Sequence, residues 1–162
     1  MDIEFAFVNL HKPADANVIL GQAHFVKTVE DLFEALAGAG PHLRFGIAFC
    51  EASGARLIRH TGNDPELEAD ACQAAEQIAA GHSFVIMLRG GHPVNVLNAV
   101  KAVPEVCTIW CATANPVGVV VATARGHRGV AAVLDGSTPA GIEGDADAAE
   151  RHALLRDLGY KL

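Results

Sequence analysis

Apolar residues along the chain follow two different periods. Short apolar runs, which are typical of buried strands, occupy residues 3–10, 17–21, 43–52, 55–60, 82–88, 105–114, 117–124 and 130–134. Between these runs, apolar residues recur at helical spacing after Thr28, after Asp64, after Pro93 and within 145–158. The pattern therefore predicts strands interspersed with about four helices.

Two of these helices carry N-terminal signals. Thr28 is followed three residues later by Asp31, a spacing that predicts Thr28 as an N-cap. Asp64 precedes Pro65, and proline is favoured at the first position of a helix. We therefore predict that Thr28 and Asp64 cap the first two helices.

Two pairs of strand-like runs are separated by very short connections. The pairs are 43–52 with 55–60 and 105–114 with 117–124, and such spacing predicts hairpins. Hairpins argue against a purely parallel, doubly wound sheet. The predicted fold is therefore α/β, with a mixed β-sheet that contains hairpins and has the helices packed on it. We expect residues 1–162 to form a single compact domain.

Size and charge exclude several classes of function. The chain has 162 residues, and its net charge of −7 disfavours binding to nucleic acid or to an anionic membrane. No apolar run approaches the roughly 20 residues of a membrane span, and the N-terminus is acidic where a signal peptide is basic. We expect a cytoplasmic protein whose four cysteines are reduced, buried and inert.

Common nucleotide and metal motifs are missing from the sequence. It has no G-x-x-x-x-G-K-[ST] loop and no G-x-G-x-x-G after its first strand. It also has no H-E-x-x-H and no paired C-x-x-C. No dedicated metal site is therefore predicted.

Polar residues at the ends of predicted strands are the first candidate site residues. Glu51 could accept a hydrogen bond from a ribose hydroxyl or a metal-bound water, or could be solvated in a turn. Asn63 and Asp64 precede a helix whose free N–H groups suit an anion, although capping alone explains Asp64. His82 could be a nucleophile, an acid–base group or a structural histidine, since histidine is the residue type most often used for such chemistry near neutral pH.

The next candidate site residues are mostly asparagines. Asn95, Asn98 and Lys101 are spaced three apart and share one helix face, which is either a ligand site or a solvated surface. Thr113 and Asn115 lie two apart in the connection before Pro116 and point the same way on an extended backbone. Asn115 could contact a purine edge or a hydroxyl, or the connection could be only a tight turn.

Three charged residues near the C-terminal strands complete the candidate set. Arg125 and Arg128 alternate with glycines and could hold a phosphate, or could form an exposed hairpin tip. Asp135 ends a strand, where it could act as a base or a metal ligand.

Several segments together resemble one family. They are "FCEASG" (49–54), "GND" (62–64), "GHSFVI" (81–86), "PVNVLNAVK" (93–101), "VPEVCTIWCATANPV" (103–117), "LDG" (134–136) and "LRDLGYK" (155–161). In this number and order they resemble the adenosine-specific kinase family, a small family of prokaryotic proteins. The resemblance runs from about residue 3 to the C-terminus.

This resemblance implies a function and an assembly. It implies a compact α/β domain that forms a homo-oligomer, with a trimer or hexamer expected, and that recognises adenosine or AMP. It also implies phosphoryl transfer, in which His82 of "GHSF" could carry the phosphoryl group. The phosphoryl donor is left open, and ATP with Mg²⁺ is one candidate.

Under this hypothesis the candidates share one pocket. Thr113, Asn115, Asn95 and Asn98 would hold base and ribose, and Glu51, Asn63 and Asp64 would line the rim. His82 and Asp135 would be catalytic, and Arg125, Arg128 or Lys101 would steady the phosphate.

Two alternatives stay open. The missing phosphate loop favours a nucleoside-binding or sensor module without catalysis. The third hypothesis is an oligomeric scaffold whose polar strand ends meet across subunits and bind no nucleoside.

Overall fold

The computed structural model describes residues 2–162. The strands are β1 (Glu4–Asn9), β2 (Asn17–Ala23), β3 (Arg44–Cys50), β4 (Ile58–Gly62), β5 (Ser83–Arg89), β6 (Val106–Thr113), β7 (Val117–Ala124) and β8 (His127–Asp135). The helices are α1 (Thr28–Ala39), α2 (Pro65–Ile78), α3 (Pro93–Lys101) and α4 (Asp145–Asp157).

The strands form two sheets in which every pair is antiparallel. The five-stranded sheet has the order β4-β3-β5-β2-β6, and the three-stranded sheet has the order β1-β7-β8. Helices α1 and α3 cover one face of the larger sheet, and α2 and the smaller sheet cover the other. Helix α4 buries no residue. The predicted α/β class is confirmed, while the sheets are antiparallel throughout rather than mixed.

One of the two predicted hairpins is wrong. Strands β3 and β4 pair as predicted, with Gly46 opposite Gly62. Strands β6 and β7 do not pair, because β6 joins β2 in the larger sheet and β7 lies between β1 and β8 in the smaller one. The connection at Thr113–Pro116 therefore carries the chain from one sheet to the other.

Small residues let α2 lie directly on β3. A Cβ atom on Gly46 would be 2.2 Å from the backbone of Leu67 and Glu68, so only hydrogen fits there. Helix α2 meets the sheet with further small side chains, Ala71, Ala74 and Ala75, all fully buried. The helix backbone can therefore approach the sheet unusually closely.

The two predicted N-caps have different outcomes. The carboxylate of Asp64 accepts hydrogen bonds from the N–H groups of Glu66 (3.0 Å) and Leu67 (3.2 Å), so this cap is confirmed. Thr28 is the first residue of α1 rather than its cap. Its buried hydroxyl donates instead to the carbonyl of Phe25 at 2.6 Å, because the preceding turn folds back on the helix.

The cysteines are free in the described chain, but they are not all buried. Cys50 and Cys111 are buried, and burial raises the pKa of the Cys111 thiol to about 11. Cys107 is exposed, so the prediction of a buried thiol is wrong there. Separately, no helix within residues 2–162 is both long and apolar enough to span a membrane.

The close contact between α2 and β3 predicts that one methyl group added at Gly46 strongly lowers the free energy of unfolding. Gly46→Ala should lower the free energy of unfolding by about 1–3 kcal/mol, because the helix backbone must shift. Gly38→Ala is the matched control: no atom lies within 4 Å of its Cβ position on α1, and the change should stabilise by about 0.5–1 kcal/mol. Urea unfolding measures both, and equal effects of the two changes would contradict this packing.

Candidate functional site

The predicted site residues divide between the two ends of the five-stranded sheet. Strand β5 runs from Ser83 to Arg89, which separates these ends by about 20 Å. We call them the His82 end and the Arg89 end. The His82 end holds Glu51, His82, Arg125 and Arg128, and the Arg89 end holds Asn63, Asp64, Asn95, Thr113, Asn115 and Asp135. A single chain therefore does not bring the predicted residues into one pocket.

His82 is held rigidly where three strands meet. Its φ of 66° is left-handed, which is uncommon for a residue other than glycine. Its N–H donates to the carbonyl of Cys50 at 2.7 Å, and its carbonyl accepts from the N–H of Ala23 at 2.9 Å. Its ring stacks on Phe49 with centroids 5.9 Å apart and planes 16° apart. The imidazole thus has a fixed direction while remaining half-exposed.

An ion pair lies beside this stack. One carboxylate oxygen of Glu51 accepts from the Arg59 guanidinium at 2.9 Å, and the other accepts from the N–H of Leu57 at 2.9 Å. These contacts, the Leu57 N–H first and Arg59 second, lower the pKa of Glu51. Arg59 is the cross-strand partner of Phe49, the residue on which His82 stacks.

A cavity of about 720 Å³ opens beside Gly81, the residue before His82. Its polar lining comes from Glu51, Arg56, Glu76, His127 and Arg128. We call it the Arg128 cavity. It contains two guanidinium groups at the His82 end, which is the arrangement expected for a phosphate-binding surface.

Arg128 is fixed in this cavity by helix α2. Its guanidinium donates to the carbonyl of Ile78 at 2.8 Å, where α2 ends. Arg125 and Gly126 form the two-residue turn between β7 and β8, both with positive φ, and Gly126 also lines the cavity. The predicted phosphate residues are therefore near His82, although Arg128 also has a structural role as a helix cap.

A second cavity, of about 660 Å³, shares Leu57 and Ile58 with the first. One wall is formed by residues 25–27, 29 and 30, before and within the first turn of α1, and the other by Leu57 and the first three residues of β4. We call it the Phe25 groove. Sequence reasoning missed its residues, because only the register of β3 with β4 shows that Arg59 lies opposite Phe49, the residue on which the histidine stacks.

The polar side chains at the Arg89 end mostly serve the fold. The amide of Asn63 accepts from the N–H of Phe45 at 2.8 Å and donates to the carbonyl of Leu43 at 2.9 Å, which extends the pairing of β3 with β4. The amide of Asn95 accepts from the N–H of His92 at 2.8 Å at the start of α3. These amides have structural partners, which the sequence pattern alone did not reveal.

The sheet-to-sheet connection forms its own small network. The hydroxyl of Thr113 accepts from the N–H of Asn115 at 3.0 Å, and the Asn115 amide donates to Asp135 at 3.0 Å. Asn98 and Lys101 are exposed on α3. Among residues 2–162, no cluster of three or more His, Cys, Asp or Glu side chains could hold a metal ion.

Fold and geometry together define a small α/β protein with a half-exposed histidine and two cavities at one end of its larger sheet. The family model described as "Adenosine specific kinase" matches residues 8–161, so the chain belongs to the adenosine-specific kinase family. Among solved structures, the PH1918 protein of Pyrococcus horikoshii OT3 is similar, with 43% identity over 99% of both chains and a TM-score of 0.95. No curated protein matches the chain significantly.

The lowered pKa of Glu51 predicts a pH-dependent contribution to stability. This contribution is present above the ordinary carboxyl pKa of about 4.3 and is lost as the pH falls through the lower folded-state pKa. Glu51→Gln should therefore be less stable than the wild type near pH 6, and the difference should shrink below about pH 4.

Urea unfolding across this pH range measures the effect. Glu34→Gln, at an exposed position of α1, is the control and should track the wild type. A Glu51→Gln deficit that stays constant with pH would contradict the ion pair.

Proposed function

We propose that this protein binds adenosine or AMP and transfers a phosphoryl group to or from it through a phosphohistidine at His82. Membership of the adenosine-specific kinase family supports adenosine as the substrate. The observation that carries the role of His82 is its half-exposed imidazole, which stacks on Phe49 at the same end of the sheet as the Arg128 cavity. A nucleophile held in one orientation loses little freedom when it reacts.

The proposed reaction has two half-steps. An imidazole nitrogen of His82 attacks the terminal phosphorus of a phosphoanhydride donor such as a nucleoside triphosphate. An N–P bond forms, the bond from phosphorus to the bridging oxygen breaks, the leaving group keeps that electron pair, and the other ring nitrogen releases its proton. A ribose hydroxyl oxygen of adenosine then attacks the same phosphorus. The N–P bond breaks, its electron pair returns to the ring, and the hydroxyl proton is released.

Cationic groups near His82 fit the charge of a phosphoryl group. Arg56 and Arg128 line the cavity beside Gly81, and Arg125 adjoins its Gly126 wall. Guanidinium groups bind phosphate oxygens through paired N–H donors. We propose that these residues bind the phosphorylated donor, while Glu51 orients Arg59 next to the histidine.

The candidates at the Arg89 end have no part in this step within one chain. Asp135 is hydrogen-bonded to Asn115 about 20 Å from His82, so the proposal gives it no catalytic role. A similar distance separates His82 from Asn63, Asp64, Asn95 and Thr113, so the proposed site does not include these residues. Exposed Asn98 and Lys101 are likewise assigned no role.

We also propose a homo-oligomer, a trimer or hexamer as the family resemblance implies, built on the outer face of the smaller sheet. Phe5 and Phe7 lie on the same side of β1 and are both exposed, as is Leu134 on β8. On β7, Val120 lies opposite Phe7 and Ala122 opposite Phe5, and the Phe7 ring covers Gly118. The outer face of an antiparallel sheet in water is normally polar, so we propose that a second copy covers this one.

The redox state of the cysteines bears on the cellular compartment of the protein. The cysteines of the described chain are free, which agrees with a reducing environment. We therefore propose that the protein works in the cytoplasm.

His82→Ala is the direct test of the phosphoryl carrier. Phosphorylation of adenosine should fall by at least about 10³-fold, because no other group replaces the nucleophile. Adenosine affinity, measured by calorimetry, should stay within about threefold. His152→Ala, at an exposed position of α4, is the control and should retain full turnover.

Two results would contradict the proposal. Undiminished turnover in His82→Ala would exclude a phosphohistidine there. Adenosine binding by the wild type without turnover, for every phosphoanhydride donor tested, would favour the non-catalytic binding module instead.

The oligomer proposal predicts a change in mass. Phe5→Asp together with Phe7→Asp should dissociate the assembly in sedimentation experiments. Each subunit would otherwise have to bury two unpaired carboxylates in the interface between copies. Val94→Asp is the control, since Val94 is equally exposed but lies on α3, away from this sheet. A wild-type monomer at micromolar concentration would refute the proposal.

A further inference from the structure

Phe25 lies at the His82 end of the sheet and combines an unusual backbone conformation with an exposed side chain. Its φ of 78° is left-handed, a conformation that costs a side-chain-bearing residue energy. Yet its ring is 59% exposed, so no core packing offsets this cost within the chain. A strained residue that presents an aromatic ring to solvent is the kind of feature that binding sites contain.

The strain is maintained by well-made hydrogen bonds. The carbonyl of Phe25 accepts from both the N–H (3.1 Å) and the hydroxyl (2.6 Å) of the buried Thr28. Just before it, the N–H of Ala23 donates to His82 and the N–H of His24 donates to the carbonyl of Glu105. The backbone of segment 23–28 is therefore preorganised in the conformation that exposes Phe25.

The opposite wall of the Phe25 groove is also apolar. Leu57 is 52% exposed, and Ile58 lies next to it on the same wall. The groove has a volume of about 660 Å³, within the range of small-molecule sites. An aromatic ring on one wall and an aliphatic side chain on the other form a slot suited to a flat heteroaromatic ring.

The charges around the groove favour a neutral ligand with hydrogen-bond donors. Its cations are already paired, Lys27 with Asp31 and Glu105 and Arg59 with Glu51, and the His60 ring is hydrogen-bonded to Glu68 at 2.6 Å. The two carboxylates that bind Lys27, Asp31 first, raise its pKa. These cations are therefore poorly placed to bind a free anion.

One carboxylate supplies acceptors instead. Glu30 lines the groove directly. Glu105 acts only through Lys27, since its side chain is 5% exposed and pairs with that lysine without lining the groove. Ribose hydroxyls and an exocyclic amine are the donors that a neutral nucleoside offers to such acceptors.

We propose that the Phe25 groove is the nucleoside-binding site, with the base between Phe25 and Leu57. The inference rests on the proposed function and adds to it the location of the acceptor nucleoside. His82 is connected to the segment before each wall or to a residue paired with it: its carbonyl accepts the N–H of Ala23, two residues before Phe25, and its ring stacks on Phe49, the cross-strand partner of Arg59. The groove and the Arg128 cavity, which share Leu57 and Ile58, therefore both lie at the His82 end of the sheet.

Phe25→Gly tests the inference without confounding it with misfolding. Glycine favours the left-handed backbone, so the thermal midpoint should not fall. Loss of base stacking should nevertheless weaken adenosine binding to the full-length protein by at least about tenfold in calorimetry. Phe25→Trp preserves a stacking surface and should bind within about threefold of the wild type.

A matched leucine pair tests the opposite wall. Leu57→Ala should weaken adenosine binding, whereas Leu154→Ala on α4, where the leucine is 55% exposed, should leave it unchanged. Inosine and guanosine serve as competing nucleosides in the same titrations.

The outcomes separate this inference from the function on which it rests. If the wild type binds adenosine and Phe25→Gly binds it equally well, the groove is wrong and the proposed function stands. If the wild type binds no adenosine, the proposed function fails and the inference fails with it. If Phe25→Gly alters the sedimentation coefficient while adenosine affinity is unchanged, the groove is a subunit contact and the inference is overturned.

Discussion

Two backbone hydrogen bonds through His82 join one end of the five-stranded sheet. They link the end of β3, at Cys50, to the end of β2, at Ala23, across the entry to β5. Both bonds require the left-handed backbone of His82, and that backbone aims the ring at Phe49. The direction of the imidazole is therefore set by the sheet itself, and every part of the proposed site is arranged around it.

The approach of α2 to the sheet determines how the chain reaches this histidine. The helix begins at the Arg89 end, where Asp64 caps it, and crosses the sheet over Gly46. It ends at Ile78, and the left-handed residue Ala79 turns the chain into Gly81 and His82. A bulkier residue at Gly46 would lift the helix and displace the segment that leads into His82. Arg128 adds a second connection, since it binds the last carbonyls of the same helix.

Local patterns in the sequence predicted the elements well because helices and buried strands depend on periodicity and caps. The β6–β7 prediction failed because pairing depends on partners that are distant in sequence. β6 pairs with β2, and β7 pairs with β1, and neither partner can be read from the three-residue connection between β6 and β7. Register is the same kind of information, and the meeting of Arg59 with Glu51 depends on it.

The candidate site was predictable to a similar degree. His82 and Glu51 stood out because they are polar residues at the ends of apolar strands, and the structure places both at the same end of the sheet. The amides at the Arg89 end stood out for the same reason but bond mainly to backbone or to each other, as Asn63 does. Phe25 gave no signal, because an apolar residue before a helix predicts core packing and only its φ and exposure mark it.

The central claim is that His82 accepts a phosphoryl group, and the most direct measurement is its chemical detection. The pure protein would be incubated with a nucleoside triphosphate and Mg²⁺, digested under alkaline conditions and mapped by mass spectrometry. If His82 is the phosphoryl carrier, we expect one acid-labile, alkali-stable phosphoryl group on the peptide that contains His82. Its transfer to added adenosine should regenerate the unmodified peptide. A phosphoryl group on another residue, or none on this peptide with any phosphoanhydride donor, would contradict the account.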